Sequence, residues 1–268
     1  MMYIRAKDFD NTMKLIAEYP DFLIMCGNTD IALQLKKQKT VNGIIDISSL
    51  NELHYIKIAS NTMHIGALTT ITDILENSEV QMHLPLLIAV AEVFASHQIR
   101  NLATLGGNIA NASPSADFTA ALLALNATVT LGSVEGERVI DLEDLFCGYK
   151  CTKLNHEIIL SITIPLQEHL WYYRRTGARE RLNITKVSLA MIKNRKGYSI
   201  SGASLNPYTS RFRHLENLLN SGDFNDKKIT EALERDISPS GSLRSTKAYR
   251  MRVVFNMIKE ALSGFTAS

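Results

Sequence analysis

Two short stretches carry residue types that hold an anionic oxygen through the main chain: Cys26-Gly27-Asn28-Thr29-Asp30 and Thr104-Leu105-Gly106-Gly107-Asn108. Glycine lets a backbone come close to a phosphate, successive exposed amides form a cradle for negative charge, and Asn and Thr add neutral donors. A pyrophosphate held in this way needs little help from Lys or Arg, which suits two turns without a basic cluster. Neither is a P-loop, because no Gly-Lys-Ser/Thr follows, and neither has Rossmann spacing. Taken singly, each is more simply read as a tight turn.

Other reactive side chains offer less. Cys26, Cys147 and Cys151 are odd in number and too few for a disulfide framework in 268 residues, so all three read as reduced thiols. Cys147 and Cys151, with His156 nearby, have a spacing that suits a metal. Structural zinc takes four ligands and a [2Fe–2S] cluster four thiolates, so loop and core thiols are the simpler reading. His64, His83 and His97 lack ligand spacing, and no Ser/His/Asp set is evident. Any redox chemistry must therefore belong to a bound cofactor, with the protein supplying position and electrostatics.

The elements that must position the two turns follow from periodicity. Lys7 to Tyr19 has helical spacing, Phe22 to Met25 suits a buried strand, and Gly43–Ile47, His64–Leu68 and Ile71–Glu76 continue an alternating α and β pattern. Pro85 to Phe94 is apolar on nearly every face, as a buried helix is. Ser113 and Pro114 fit an N-cap and first helical position, with a helix continuing over Asp117 to Leu125. Strands are expected at 128–131, 138–142 and 158–164. After Pro165 the spacing predicts two strands, 186–193 and 198–205, then helices over 211–220, 226–235 and 245–262. A net charge of +2 from 29 basic and 27 acidic side chains implies no nucleic-acid or membrane attraction. Without a signal-like or membrane-length apolar run, the cytoplasm is the default.

Three stretches, Ile24 to Asp30, Ile65 to Thr70 (IGALTT) and Arg100 to Asp117 (RNLATLGGNIANASPSAD), resemble in order and spacing the signatures of the FAD domain of the xanthine dehydrogenase and carbon monoxide dehydrogenase family of molybdenum hydroxylases. The resemblance continues through Gly148-Tyr149-Lys150, Glu157–Pro165 and Leu243–Leu262. It implies an α+β fold: a two-lobed PCMH-type FAD-binding domain over 1–168, with lobes at about 1–55 and 56–168, then a C-terminal domain over 169–268 of a small antiparallel sheet plus helices.

The same resemblance implies a site. Met25, Cys26, Gly27, Asn28, Thr29, Asp30 and Ile31 would wrap the FAD diphosphate, and Thr104, Gly106, Gly107 and Asn108 would meet it from the other side. Asp117 would accept a ribose hydroxyl, with little loss of fold if it were removed. Phe94 matches an aromatic position beside the flavin, Ile99, Ala103 and Ala110 would line the pocket, and Ile158 and Ile159 would cover the adenine. Arg175 stands where relatives often carry Lys, keeping the charge but altering reach.

By this resemblance the chain is the FAD-carrying subunit of an oxidoreductase complex. A molybdopterin-bearing large subunit and a [2Fe–2S] small subunit would be its partners, and NAD+ would take the electrons. A stand-alone FAD reductase or oxidase of the same fold, and a scaffold without FAD, are the other readings. Nucleic-acid binding through Arg244, Lys247, Arg250 and Arg252 is more simply a solvated or subunit-docking helix face. Trp171-Tyr172-Tyr173 is placed in a linker between lobes, near the flavin or packing a hinge.

Overall fold

The computed structural model describes residues 1–37, 40–178, 184–241 and 245–267; Leu243 and Arg244 lie outside them. The chain begins with β1 (Met2–Arg5), α1 (Phe9–Glu18), β2 (Leu23–Met25), α2 (Ile31–Lys36) and β3 (Gly43–Asp46). Asp8 starts α1 by accepting the Asn11 amide at 2.7 Å, and Met13, Leu15 and Ile16 are its buried face. The strands pair in parallel in the order β1-β3-β2, with the helices as the returns that parallel pairing requires. Central β3 is wholly buried. The segment at 22–25, expected to be a buried strand, is only half-buried, because β2 is an edge strand with a neighbour on one side.

The second lobe runs through β4 (Ile56–Ala59), β5 (Thr62–Gly66), α3 (Ile71–Glu76), α4 (Ser78–His83), α5 (Pro85–Val93), α6 (His97–Arg100), α7 (Leu105–Ala110), α8 (Asp117–Ala124), β6 (Thr128–Ser133), β7 (Gly136–Asp141), β8 (Phe146–Gly148), β9 (Cys151–Thr152) and β10 (Ile158–Pro165). Its antiparallel sheet has the order β4-β5-β10-β6-β7 and shares one hydrophobic core with α5 and with α8, all eight of whose residues are buried. Ser113 and Pro114 do not open α8 as expected. The helix starts three residues later, after Ala116, because Ser113 and Pro114 spend their carbonyls on a turn to Ala116 and on the Ser204 amide.

Beyond Pro165 four strands form where two were expected: β11 (Leu170–Thr176), β12 (Val187–Asn194), β13 (Gly197–Ala203) and β14 (Ser210–Arg211), in that order. Helices α9 (Arg213–Ser221), α10 (Asp226–Asp236) and α11 (Lys247–Ala267) follow. Side chains alternate between the two faces of a strand. Tyr173, Ala190 and Ile192 accordingly join the core shared with the second lobe, while Tyr172, Leu189 and Met191 join the core under α9 to α11. Trp171-Tyr172-Tyr173 is thus part of β11 and not a linker. No helix among the described residues is long and apolar enough to cross a membrane.

The thiol reading is corrected at one place. Cys147 and Cys151 form a disulfide, with Cα atoms 5.3 Å apart, across the β8–β9 hairpin. That separation lies in the normal range for a bridge, and cysteine count alone could not show that a hairpin brings the two together. Cys26 is the free cysteine.

Candidate functional site

The fold brings the two turns into contact. Cys26 Sγ lies 3.1 Å from Thr104 Oγ1, and Thr70 and Thr104 form an isolated antiparallel bridge that fixes the second turn to the sheet lobe. A methyl group on Gly27 would sit 1.8 Å from the Leu102 carbonyl oxygen, and one on Gly106 would sit 2.6 Å from Ala67 Cβ. Protein packed against protein is by itself enough to require glycine at both positions. A methyl on Gly107 would enter the seam between the turns, 2.8 Å from Thr104 Oγ1 and 3.2 Å from Cys26 Sγ. Burial pushes the Cys26 thiol up, opposed by the Thr104 hydroxyl and the Gly27 amide.

The turns differ in what their amides do. The second is the first turn of α7: Thr104 is its N-cap, and the amides of Leu105, Gly106, Gly107 and Asn108 donate to Thr69 O, Ala67 O, Thr104 Oγ1 and Thr104 O. In the first turn Asn28 is left-handed, φ 56°. Among the described residues, the amides of Asn28, Thr29, Asp30 and Ile31 have no protein acceptor. Four successive unpaired amides fit a bound oxyanion group. The Asn108 side-chain oxygen is buried and has no partner among the described residues; as an acceptor it suits a hydroxyl or N–H donor and not an anionic oxygen.

Asp117, Phe94 and Arg175 meet at a second point. Arg175 Nη1 donates to Val93 O at 2.9 Å and lies 3.3 Å from Asp117 Oδ2, which also accepts from Thr185 Oγ1 at 2.7 Å. Burial pushes the Asp117 carboxyl up, opposed by Ser188, the Arg175 charge, Thr185 and Tyr173. The Ser188 and Tyr173 hydroxyls are close enough to favour the carboxylate, yet neither they nor Asp117 Oδ1 completes a hydrogen bond. Phe94, just past α5, packs edge-on against Phe118 with centroids 5.5 Å apart, and Arg100 Nη1 holds its carbonyl at 2.9 Å.

The remaining expected residues are more dispersed. Ile99 is half-buried on α6 and Ala103 is buried, with its amide on the Ile99 carbonyl at 2.7 Å. Ala110 is exposed at the end of α7. Ile158 and Ile159, beside the bulge of β10, lie in two separate cores. The sequence reading missed Leu102, Ala67 and Thr185. Nothing in their residue types marks them, since each acts through a carbonyl, a methyl or a single hydroxyl brought in from another element. Arg250 is also accounted for, since its guanidinium reaches Ser204 O and Ser245 Oγ.

A parallel α/β lobe joined to an antiparallel lobe, with unpaired main-chain amides at their seam, defines a binding fold for a phosphate-bearing cofactor. Comparison with known proteins makes this specific. Residues 1–167 match the family described as the FAD binding domain in molybdopterin dehydrogenase. The chain is 30% identical to the xanthine dehydrogenase FAD-binding subunit of Escherichia coli O157:H7, covering 99% of this chain and 96% of that one. It is also 30% identical to the glyceraldehyde dehydrogenase medium chain of Sulfolobus acidocaldarius, covering 94% and 93%. A solved carbon monoxide dehydrogenase from Hydrogenophaga pseudoflava, lacking the Mo-pyranopterin moiety of its molybdenum cofactor, superposes with a TM-score of 0.92 at 25% identity over 98% of this chain and 96% of that one. The chain belongs to this family: it is an FAD-binding oxidoreductase subunit of the molybdenum hydroxylase type.

Proposed function

We propose that this chain takes electrons from an iron–sulfur subunit and passes them to NAD+, within a cytoplasmic complex whose large subunit holds molybdopterin. The observation that carries its binding role is the run of unpaired amides from Asn28 to Ile31. When bound, FAD supplies the redox chemistry, exchanging electrons singly on one side and as a hydride on the other. The protein's part is to hold and orient. The 26–31 turn takes the diphosphate on neutral amides, while Thr104, Gly107 and Asn108 close the seam from the other side.

In this reading Asp117 Oδ1 accepts the ribose hydroxyl, supported by its lack of a partner among the described residues, while Arg175 and Thr185 fix the other oxygen. Both oxygens are enclosed, so this contact needs Oδ1 to be uncovered. Phe94, Ile99, Ala103 and Ala110 border the ring system, Ile158 and Ile159 the adenine, and Arg175 sets the charge nearby. The domain division at about 168, with lobes meeting near 55, belongs to the same proposal, although one core runs across the boundary through Ala190, Ile192 and Ala203.

The test is to purify the chain gently from its native host, record the visible spectrum of what co-purifies, and add NADH anaerobically. A flavin spectrum bleached by NADH, alongside molybdenum and iron–sulfur subunits, is the expected result. Flavin that NADH leaves oxidised would remove NAD+ as the acceptor. A solitary chain would remove the complex.

A further inference from the structure

The hairpin β8–β9 carries a covalent feature that the binding role does not use. Its two strands have three and two residues, with a register irregularity between Phe146 and Gly148. A ribbon this short has little stability of its own in water; Phe146 in the core and the Lys153 amide on the Leu145 carbonyl anchor its base, and the Cys147–Cys151 disulfide closes its exposed end. Both cysteines are exposed, as are Tyr149 and Lys150 between them. Lys150 takes a left-handed conformation, φ 49°, and its Nζ lies 3.6 Å from Asp30 Oδ2. Asp30 belongs to the first turn, where its carbonyl accepts the amides of Leu33 and Gln34 and its side chain accepts Gln34 Nε2 at 2.6 Å. The disulfide therefore closes the loop that presents this cation beside Asp30, in the segment proposed above to hold the cofactor.

We propose that Cys147–Cys151 is a thiol–disulfide exchange site for a dithiol reductant, and that its redox state sets how firmly the 26–31 turn retains FAD. The second half rests on the placement of FAD at that turn given above. One thiolate of the reductant attacks an exposed sulfur, breaking the Cys147–Cys151 bond and forming a mixed disulfide. The reductant's second thiolate then displaces the protein sulfur and closes the reductant's own disulfide. The protein gains two electrons and two protons and ends with two thiols; the reductant loses the same. Cys26, half-buried against Thr104, stands apart from the exchange. With the tie cut, Lys150 is no longer confined beside Asp30.

The test uses the full chain reconstituted with FAD. Alkylation of the unreduced, unfolded protein followed by intact mass measurement should show one blocked cysteine, and three after dithiothreitol; three blocked cysteines without reductant would overturn the proposal. Flavin fluorescence titration should give an FAD Kd about 1.5- to fivefold weaker after dithiothreitol, the size expected for loss of one exposed ion pair. A Cys147→Ser/Cys151→Ser double variant should sit at the reduced value and ignore the reductant. Lys150→Gln in the oxidised protein should reproduce that value and also lose the response. An FAD Kd that dithiothreitol does not change would overturn the control of binding. Gly107→Val separates the two readings. If it retains full flavin, FAD does not lie at the seam and the control falls with the site; if it loses flavin while the reductant has no effect, the site stands and only the exchange control is wrong.

Discussion

The turns at 26–31 and 104–108 look alike in sequence and differ in their hydrogen bonds. Both present glycine, Asn and Thr, yet the amides of the second are consumed by Thr69, Ala67 and Thr104, while those of Asn28 to Ile31 have no protein acceptor among the described residues. A buried main-chain donor must find an acceptor, and the second turn finds its acceptors by becoming the start of a helix, whereas the first has none within the protein among the described residues. Composition identifies a turn that can bind an anion; only the destination of each N–H shows which turn has donors to spare.

The sharpest break of this comparison is Gly27→Ala. Its methyl would meet the Leu102 carbonyl oxygen at 1.8 Å, and main chain cannot step aside as a flexible side chain can. The purified variant should contain no flavin by its absorbance ratio. Full flavin content would show that the turns need not touch.

Next in size is Asp117→Ala, which tests the charged point of the site against the neutral turns. It leaves Arg175 facing an emptied carboxylate position in a buried setting, where side-chain exposures are 10% and 5%. Removing one partner of such a pair costs about 3–5 kcal/mol, read as a lower urea midpoint. This replaces the expectation from sequence that the change would spare the fold. A loss below about 1 kcal/mol would mean that the Val93 carbonyl and the other contacts of Arg175 are support enough.

A smaller pair of changes separates the turns directly. Asn28→Val forces a β-branched residue into a left-handed conformation, at a cost of about 1–2 kcal/mol. Thr104→Val removes the cap on Gly107 N, at about 1 kcal/mol. The stability losses should be similar, whereas the FAD Kd should rise more for Asn28→Val, because only that turn has amides without a protein acceptor among the described residues. Equal changes in Kd would erase the distinction.

The smallest effect is on the support of the second turn. Burial disfavours the charged form of Asp73, but hydrogen bonds from Thr70 and His54 outweigh it and hold the carboxyl below its ordinary value. A depressed carboxyl contributes stability in full above its unfolded value, about 3.9, and loses it as pH falls through the lower folded value. The stability gap between the wild type and Asp73→Asn should be widest near neutrality and close in acid, measured by urea midpoints. A gap constant with pH would remove the carboxylate from the capping of α3.

Much of this arrangement was legible before folding was considered. Buried helices such as Pro85–Val93 announce themselves by being apolar all round, and the Thr104–Asp117 stretch is specific enough to carry a family resemblance. The strands β11 and β14 were not legible. β11 reads Leu-Trp-Tyr-Tyr-Arg-Arg-Thr, an edge strand whose aromatic residues alternate between two cores, and no periodicity in the chain reveals that there are two cores to face. Ser113-Pro114 satisfied a local rule for starting a helix and lost to a tertiary contact, the Ser204 amide on the Pro114 carbonyl.

By itself the sequence determined the family, the cofactor class and the two glycine-bearing segments, because residue type and spacing are local properties that survive without coordinates. The tertiary structure decided that Gly27 and Gly106 answer to Leu102 and Ala67, that Asp117 is braced by Arg175 and Thr185 from a distant sheet, and that Cys147 and Cys151 are joined. Each of these depends on atoms from separate elements lying within a few ångströms, a relation that packing creates and chain order does not encode.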